Sequence, residues 1–145
     1  MFKHLLIATD GSELAERAAA QGLQLAKLVK ANVTVVTVTE PWAAVVMGEA
    51  AIAFPYADYE KSSAESAVKI LGRVTELAKK ADMVCTSVHI KEQFPAEGIV
   101  AAAKDKGCDL IVMASHGRRG LAKLFLGSEA AKTLALSTVP VLVCR

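Results

Sequence analysis

Residues 113–128, MASHGRRGLAKLFLGS, have the makings of a main-chain cradle for an anion. Gly117 and Gly127 bracket nine residues, and Ser128 follows the second glycine at once. Glycine permits positive φ and lets the backbone approach a ligand closely. Where the chain re-enters a helix at Gly127-Ser128, unpaired N–H groups and the positive end of the dipole would face a phosphate. The Ser128 hydroxyl adds a second hydrogen-bonding group. Arg118 and Arg119 stand where one of them could pair with phosphate oxygens, although adjacent loop arginines are more often solvated. His116 has no carboxylate or nucleophile beside it in the motif and reads as a loop residue rather than a general base. The bland alternative is that Gly117 merely turns the chain and Ser128 merely caps a helix. Single glycines are weak evidence, and it is the combination that points to a nucleotide-sized polyanion.

A second loop supports the first. Thr9-Asp10-Gly11-Ser12 would lie on the neighbouring carboxyl edge if the first and fourth strands are adjacent, and Asp10 would then accept a hydrogen bond from a ribose or base. Its plainer role is that of turn former and helix-start acid. Val38, ending the second strand, would offer backbone groups and an apolar wall to a base, or be an ordinary strand residue. The nine residues between Gly117 and Gly127 could span about 30 Å if extended, yet both ends return to one sheet edge. Leu121 and Phe125, spaced i and i+4, are expected to tie that segment down as one helical turn.

These loops need a scaffold of parallel strands. Short apolar runs alternate with amphipathic stretches, the pattern of a sheet wound with helices. Leu5–Ala8 reads as the first strand. A helix is expected from Ser12 to Lys30, with Ser12 as N-cap, Glu13 and Glu16 at the positive end, and Leu14, Ala18, Leu25 and Leu28 facing the sheet. Val33–Val38 is β-branched and reads as the second strand. From Glu40 to Pro55 the sequence is apolar but aperiodic and is expected to form an irregular, mobile crossover. Helical spacing returns from Tyr56 to Ala81 through Ala67, Ile70, Leu71, Val74 and Leu77. A strand at Val84–Ile90, a helix from Pro95 to a left-handed cap near Gly107, and a strand at Asp109–Ala114 follow. A helix over Ser128–Ser137 and a strand over Val139–Cys144 complete the alternation. Leu110, Ile111, Val112 and Met113 are apolar on both faces, as a central parallel strand requires.

At 145 residues the chain fits one domain, spanning 1–145. Hydrophobic residues make up 53% without any run long enough to span a membrane. The first apolar run meets Asp10 before a leader core could form, so the cytoplasm is the expected compartment and no membrane is involved. A net charge of +2, spread among acids, demands no nucleic-acid partner. Cys85, Cys108 and Cys144 lack metal or disulfide spacing and read as buried thiols.

This constellation resembles the universal stress protein family, specifically its ATP-binding branch. The hallmark of that branch is a glycine, two residues, a glycine, nine residues, then glycine followed by serine or threonine. The matching positions are Ala114, Gly117, Gly127 and Ser128, and ATDGSELAERA, VTVTEP, CDLIVMASHGRRG and STVPVLVC also look like family segments. Ala114 departs from the pattern by one methyl. The resemblance implies a Rossmann-like α/β fold, an open five-stranded parallel sheet of order 3-2-1-4-5 with helices on both faces. It also implies that Ala8, Thr9 and Asp10 approach base and ribose, that Val38 contacts adenine, and that Met113, Ala114, Gly117, Gly127, Ser128 and Glu129 surround phosphates and ribose. Glu129 would take part through its N–H, since a carboxylate beside a triphosphate repels it unless a cation intervenes.

The function so implied is a stress-response regulatory protein that binds ATP, alone or with Mg2+, and hydrolyses it slowly or not at all. No P-loop lysine is present, for Leu126 precedes Gly127-Ser128. An alternative is a partner-binding homodimer, paired through Val139 to Val143, with an empty or weak nucleotide site. A third is a nucleotide-activating enzyme of the adenine-nucleotide α-hydrolase-like superfamily, whose loop pattern Thr9-Asp10-Gly11-Ser12 fits poorly.

Overall fold

The fold is taken from a computed structural model that describes residues 1–118 and 125–145. Its elements run β1 (His4–Ala8), α1 (Glu13–Val29), β2 (Asn32–Val38), α2 (Trp42–Val45), α3 (Ala50–Ala53), α4 (Tyr56–Lys80), β3 (Thr86–Ile90), α5 (Pro95–Asp105), β4 (Leu110–Ala114), α6 (Ser128–Leu136) and β5 (Val141–Cys144). The five strands form one sheet of order β3-β2-β1-β4-β5, and every pairing is parallel. β1 and β4 are therefore neighbours, with Leu5, Leu6 and Ile7 opposite Leu110, Ile111 and Val112.

Both faces of the sheet are covered. Leu5, Ile7, Val33, Val35, Leu110 and Val112 pack with residues of α1 and α4, while Leu6, Ala8, Val36, Ile111 and Met113 pack with residues of α5 and α6. Strands sealed on two sides must be apolar at successive positions, which is why the central runs show no polar alternation.

Ser12 caps α1 by accepting the Ala15 N–H at 3.2 Å, and Lys30 closes it in the left-handed conformation at φ 57°. The sheet-facing stripe of α1 keeps the expected Ala18, with Leu14 and Leu25 packed partly buried against the core, and departs from expectation at Leu28. Ala15, Ala18, Ala19, Leu23 and Ala26 are buried, whereas Leu28 is 81% exposed. Small residues bring the helix axis close to the sheet, and a Cβ on Gly22 would lie 3.0 Å from Ile7 Cδ1. The crossover after β2 is likewise more ordered than its aperiodic sequence suggests. It holds two one-turn helices, tied by the Trp42 Nε1–H donating to Phe54 O at 3.0 Å and by edge-on packing of Trp42 against Tyr56. β3 and β5 begin two residues later than expected, and Val84 is left 93% exposed.

Candidate functional site

The strand order reverses direction between β1 and β4, and in open α/β sheets the crevice at such a switch point is where ligands bind. A cavity of about 790 Å³ opens there. Among the described residues its lining includes the expected Ala8, Thr9, Asp10, Val38, Met113, Ala114, Gly117, Arg118, Gly127, Ser128 and Glu129. Arg119 and the expected Leu121–Phe125 turn fall on or across residues 119–124, outside the described residues.

Asp10 joins the two loops. Its Oδ1 accepts the Ser12 N–H at 2.9 Å, an Asx turn that starts α1, and its Oδ2 accepts the Arg118 N–H at 2.8 Å across 108 positions of sequence. The turn role and the site role weighed for this residue are thus compatible. A carboxylate carries about four lone-pair sites, and two remain for a ligand hydroxyl. The Arg118 guanidinium lies over Gly11, where an added Cβ would meet Nη2 at 2.9 Å. Among the described residues no carboxylate forms an ion pair with it.

The glycines of the second loop are demanded for a reason other than the one expected. Neither Gly117 nor Gly127 has positive φ, and Gly127 sits at φ −61°. A Cβ on Gly117 would instead fall 2.6 Å from Asp10 Oδ2, and one on Gly127 would fall 2.6 Å from the Ser115 carbonyl oxygen. The protein's own atoms make the close approach. Gly127 N–H in turn donates to Ser115 O at 2.8 Å, and Ser115 N–H donates to Cys144 O at 2.7 Å, which anchors both ends of the loop to the sheet.

Gly127 is the N-cap of α6, and Ser128 is its first helical residue rather than its cap. The first bond of the helical ladder runs from Ala131 N–H to Gly127 O at 2.9 Å. The N–H groups of Ser128, Glu129 and Ala130 precede that ladder, at the positive end of the dipole and in the cavity wall. The Glu129 carboxylate does not crowd them. Its Oε2 accepts the Ala96 N–H at 2.9 Å and so caps α5, whose own N-cap Phe94 offers no side-chain acceptor.

The opposite wall carries no expectation from the sequence. Ser62, Ser63 and Ser66 of α4 line it beside Tyr59, whose hydroxyl donates to Glu40 O at 2.6 Å. Burial, foremost, raises the Tyr59 pKa above its ordinary value. The run SSAES just before the apolar stripe of α4 carries the signal, since i, i+1 and i+4 share one helical face. Elsewhere burial pushes the Cys108 thiol up to about 11 and raises Cys144 as well, so neither is a ready nucleophile. His116 Nδ1 contacts its neighbour Ser115 Oγ at 3.0 Å.

The model of the universal stress protein family matches residues 1–145. The chain belongs to the universal stress protein family. A universal stress protein of Thermus aquaticus is 35% identical over 152 residues, and YxiE of Bacillus subtilis is 31% identical over 151, each aligned along the whole of both chains. Among solved structures, MJ0577 of Methanocaldococcus jannaschii superposes with a TM-score of 0.80 at 28% identity, covering 99% of this chain and 96% of that one. Two more distant structures share the fold. One is a universal stress protein in complex with cAMP, with TM-score 0.74, 23% identity and coverage of 99% and 97%. The other is a universal stress protein from Archaeoglobus fulgidus in complex with dAMP, with TM-score 0.71, 18% identity and coverage of 100% and 98%. No helix among the described residues of this universal stress protein is long and apolar enough to cross a membrane.

Proposed function

We propose that this protein binds ATP, or a close adenine relative, at the carboxyl edge of its sheet and works in stress response as a nucleotide-dependent regulatory module. The observation that carries the proposal is the β1/β4 cavity, whose wall holds Ser128, Glu129 and Ala130 ahead of the α6 ladder together with Asp10 and Val38. The nucleotides held by the cAMP and dAMP complexes belong to the same chemical class. In this reading the α6 amides, the Ser128 hydroxyl and Arg118 hold phosphates, with Mg2+ entering on the nucleotide. Ala8, Thr9 and Asp10 approach the ribose, and Val38 with Met113 flanks the base. Ala114 adds its methyl to the floor in place of the glycine typical of the ATP-binding branch.

Regulation fits better than turnover. Among the described residues His116 is engaged with its neighbouring serine, and Glu129, the acid at the head of α6, is committed to Ala96. Neither stands ready to activate water, so hydrolysis is slow at most. The 145-residue chain acts as one domain in the cytoplasm. It pairs with a second copy along β5, an edge strand on which Leu142 is 39% exposed.

Isothermal titration with ATP and Mg2+ tests the reading. Saturable heat with one site per chain is expected, and no heat at high micromolar nucleotide would overturn it. Gly117→Val drives a branched side chain into the Asp10 carboxylate and is expected to abolish binding. Ser128→Ala removes one hydroxyl and should weaken binding by about 0.5–1.5 kcal/mol. If both variants bind like the parent, the site is elsewhere.

A further inference from the structure

Past Val38 the cavity wall becomes polar. Thr39, Tyr59 and Ser63 line both the main cavity and a small niche behind it, and His89 and Lys91 form the far side of that niche. Thr39 Oγ1 lies 2.7 Å from His89 Nε2. The Thr39 main chain is held on both sides, its N–H donating to Ile90 O at 2.8 Å and its carbonyl accepting the Gln93 N–H at 3.3 Å. The hydroxyl is therefore presented from a fixed position, one residue beyond the expected base wall.

A threonine hydroxyl has one proton and two lone pairs, so what it offers a ligand depends on what the imidazole takes from it. A neutral imidazole with a bare Nε2 accepts the hydroxyl proton, and the cavity then meets a lone pair. A charged imidazole carries protons on both nitrogens, so Thr39 must accept from it, and the hydroxyl proton is released towards the cavity. We infer that Thr39 and His89 form a base-reading pair, in which neutral His89 with its proton on Nδ1 favours a purine with a 6-amino group and protonated His89 favours one with a 6-oxo group. The inference rests on the nucleotide reading above and assigns a residue pair to the selection of the base.

The surroundings set the direction. The titratable and charged groups gathered at the niche are Tyr56, Tyr59 and Glu60 of α4, Lys91 and Glu92 after β3, and Glu40 after β2, with Lys91 Nζ 3.3 Å from Glu60 Oε1. Burial, and secondarily the Lys91 charge, holds the His89 pKa below its ordinary value. The ring is thus neutral at and above neutrality, where the 6-amino preference holds, and it gains its proton only on the acid side of the usual histidine range.

The test is titration of the full chain with ATP and with ITP, which share a triphosphate and differ at position 6 of the base. The ratio of the two dissociation constants cancels the ionisation of the phosphates. From about pH 8 to about pH 5 the preference for ATP should shrink by about fivefold in the parent, the scale of one hydrogen bond. Thr39→Val should lower the preference near pH 8, where the hydroxyl accepts from the 6-amino group, and remove its slope, and His89→Gln, whose amide does not ionise, should flatten the slope. A flat ratio in the parent, or a slope that survives in Thr39→Val, overturns the pair while leaving nucleotide binding intact. If neither nucleotide binds at any pH, the nucleotide reading fails and the pair falls with it.

Discussion

Gly127 places its α-carbon against a carbonyl that has no freedom to retreat, because Ser115 is hydrogen-bonded to both Gly127 and Cys144. Gly127→Ala puts a methyl 2.6 Å from that oxygen. The expected loss is about 1–3 kcal/mol, as for overpacking at a rigid position, read from urea unfolding midpoints. Glu129→Ala removes the acceptor that caps α5 and should cost about 1 kcal/mol, whereas Glu129→Gln keeps an oxygen at the same reach and should recover most of it. Thermal melts of the two variants side by side check this, and equal losses would mean the Ala96 contact contributes nothing. At this scale the sequence is informative about position and misleading about cause. The glycine spacing marks the loop correctly, yet its steric demand comes from Asp10 and Ser115, contacts that no local pattern reveals. The α4 serines are hard to single out because a helix face that points into a cavity looks, in one dimension, like any solvated face.

The strands are the most legible elements, because burial on two sides forces short, unbroken apolar runs that a half-exposed strand or a surface helix does not need. Helix faces are harder to assign. In α1 four alanines are buried against the sheet beside Leu23, and a rule that sends every large apolar residue inward misplaces Leu28. β5 repeats the difficulty at the sheet edge. Val141 and Val143 pack towards the α5 and α6 side, while Leu142 is the outward residue. A test of dimerisation should therefore leave the valines alone. Leu142→Asp sets like charges near a two-fold contact and is expected to convert a dimer to a monomer in light scattering without unfolding the chain. A parent protein already monomeric at micromolar concentration would dismiss the pairing.

The alternation of runs makes a parallel sheet wound with helices readable, whereas the order 3-2-1-4-5 comes from the family resemblance, because right-handed crossovers still leave several ways to lay five parallel strands. A nucleotide that binds only the folded form should raise stability through mass action. At one hundred times the dissociation constant the gain is about 2.7 kcal/mol, seen as a higher melting temperature with ATP and absent in Gly117→Val. The bond between Asp10 and Arg118, 108 positions apart, carries one more consequence. During synthesis the first loop leaves the ribosome long before the second exists, and α6 with its waiting amides comes later still. On the proposed reading a growing chain has nowhere to hold the nucleotide, so the ligand can reward completed molecules but cannot guide unfinished ones.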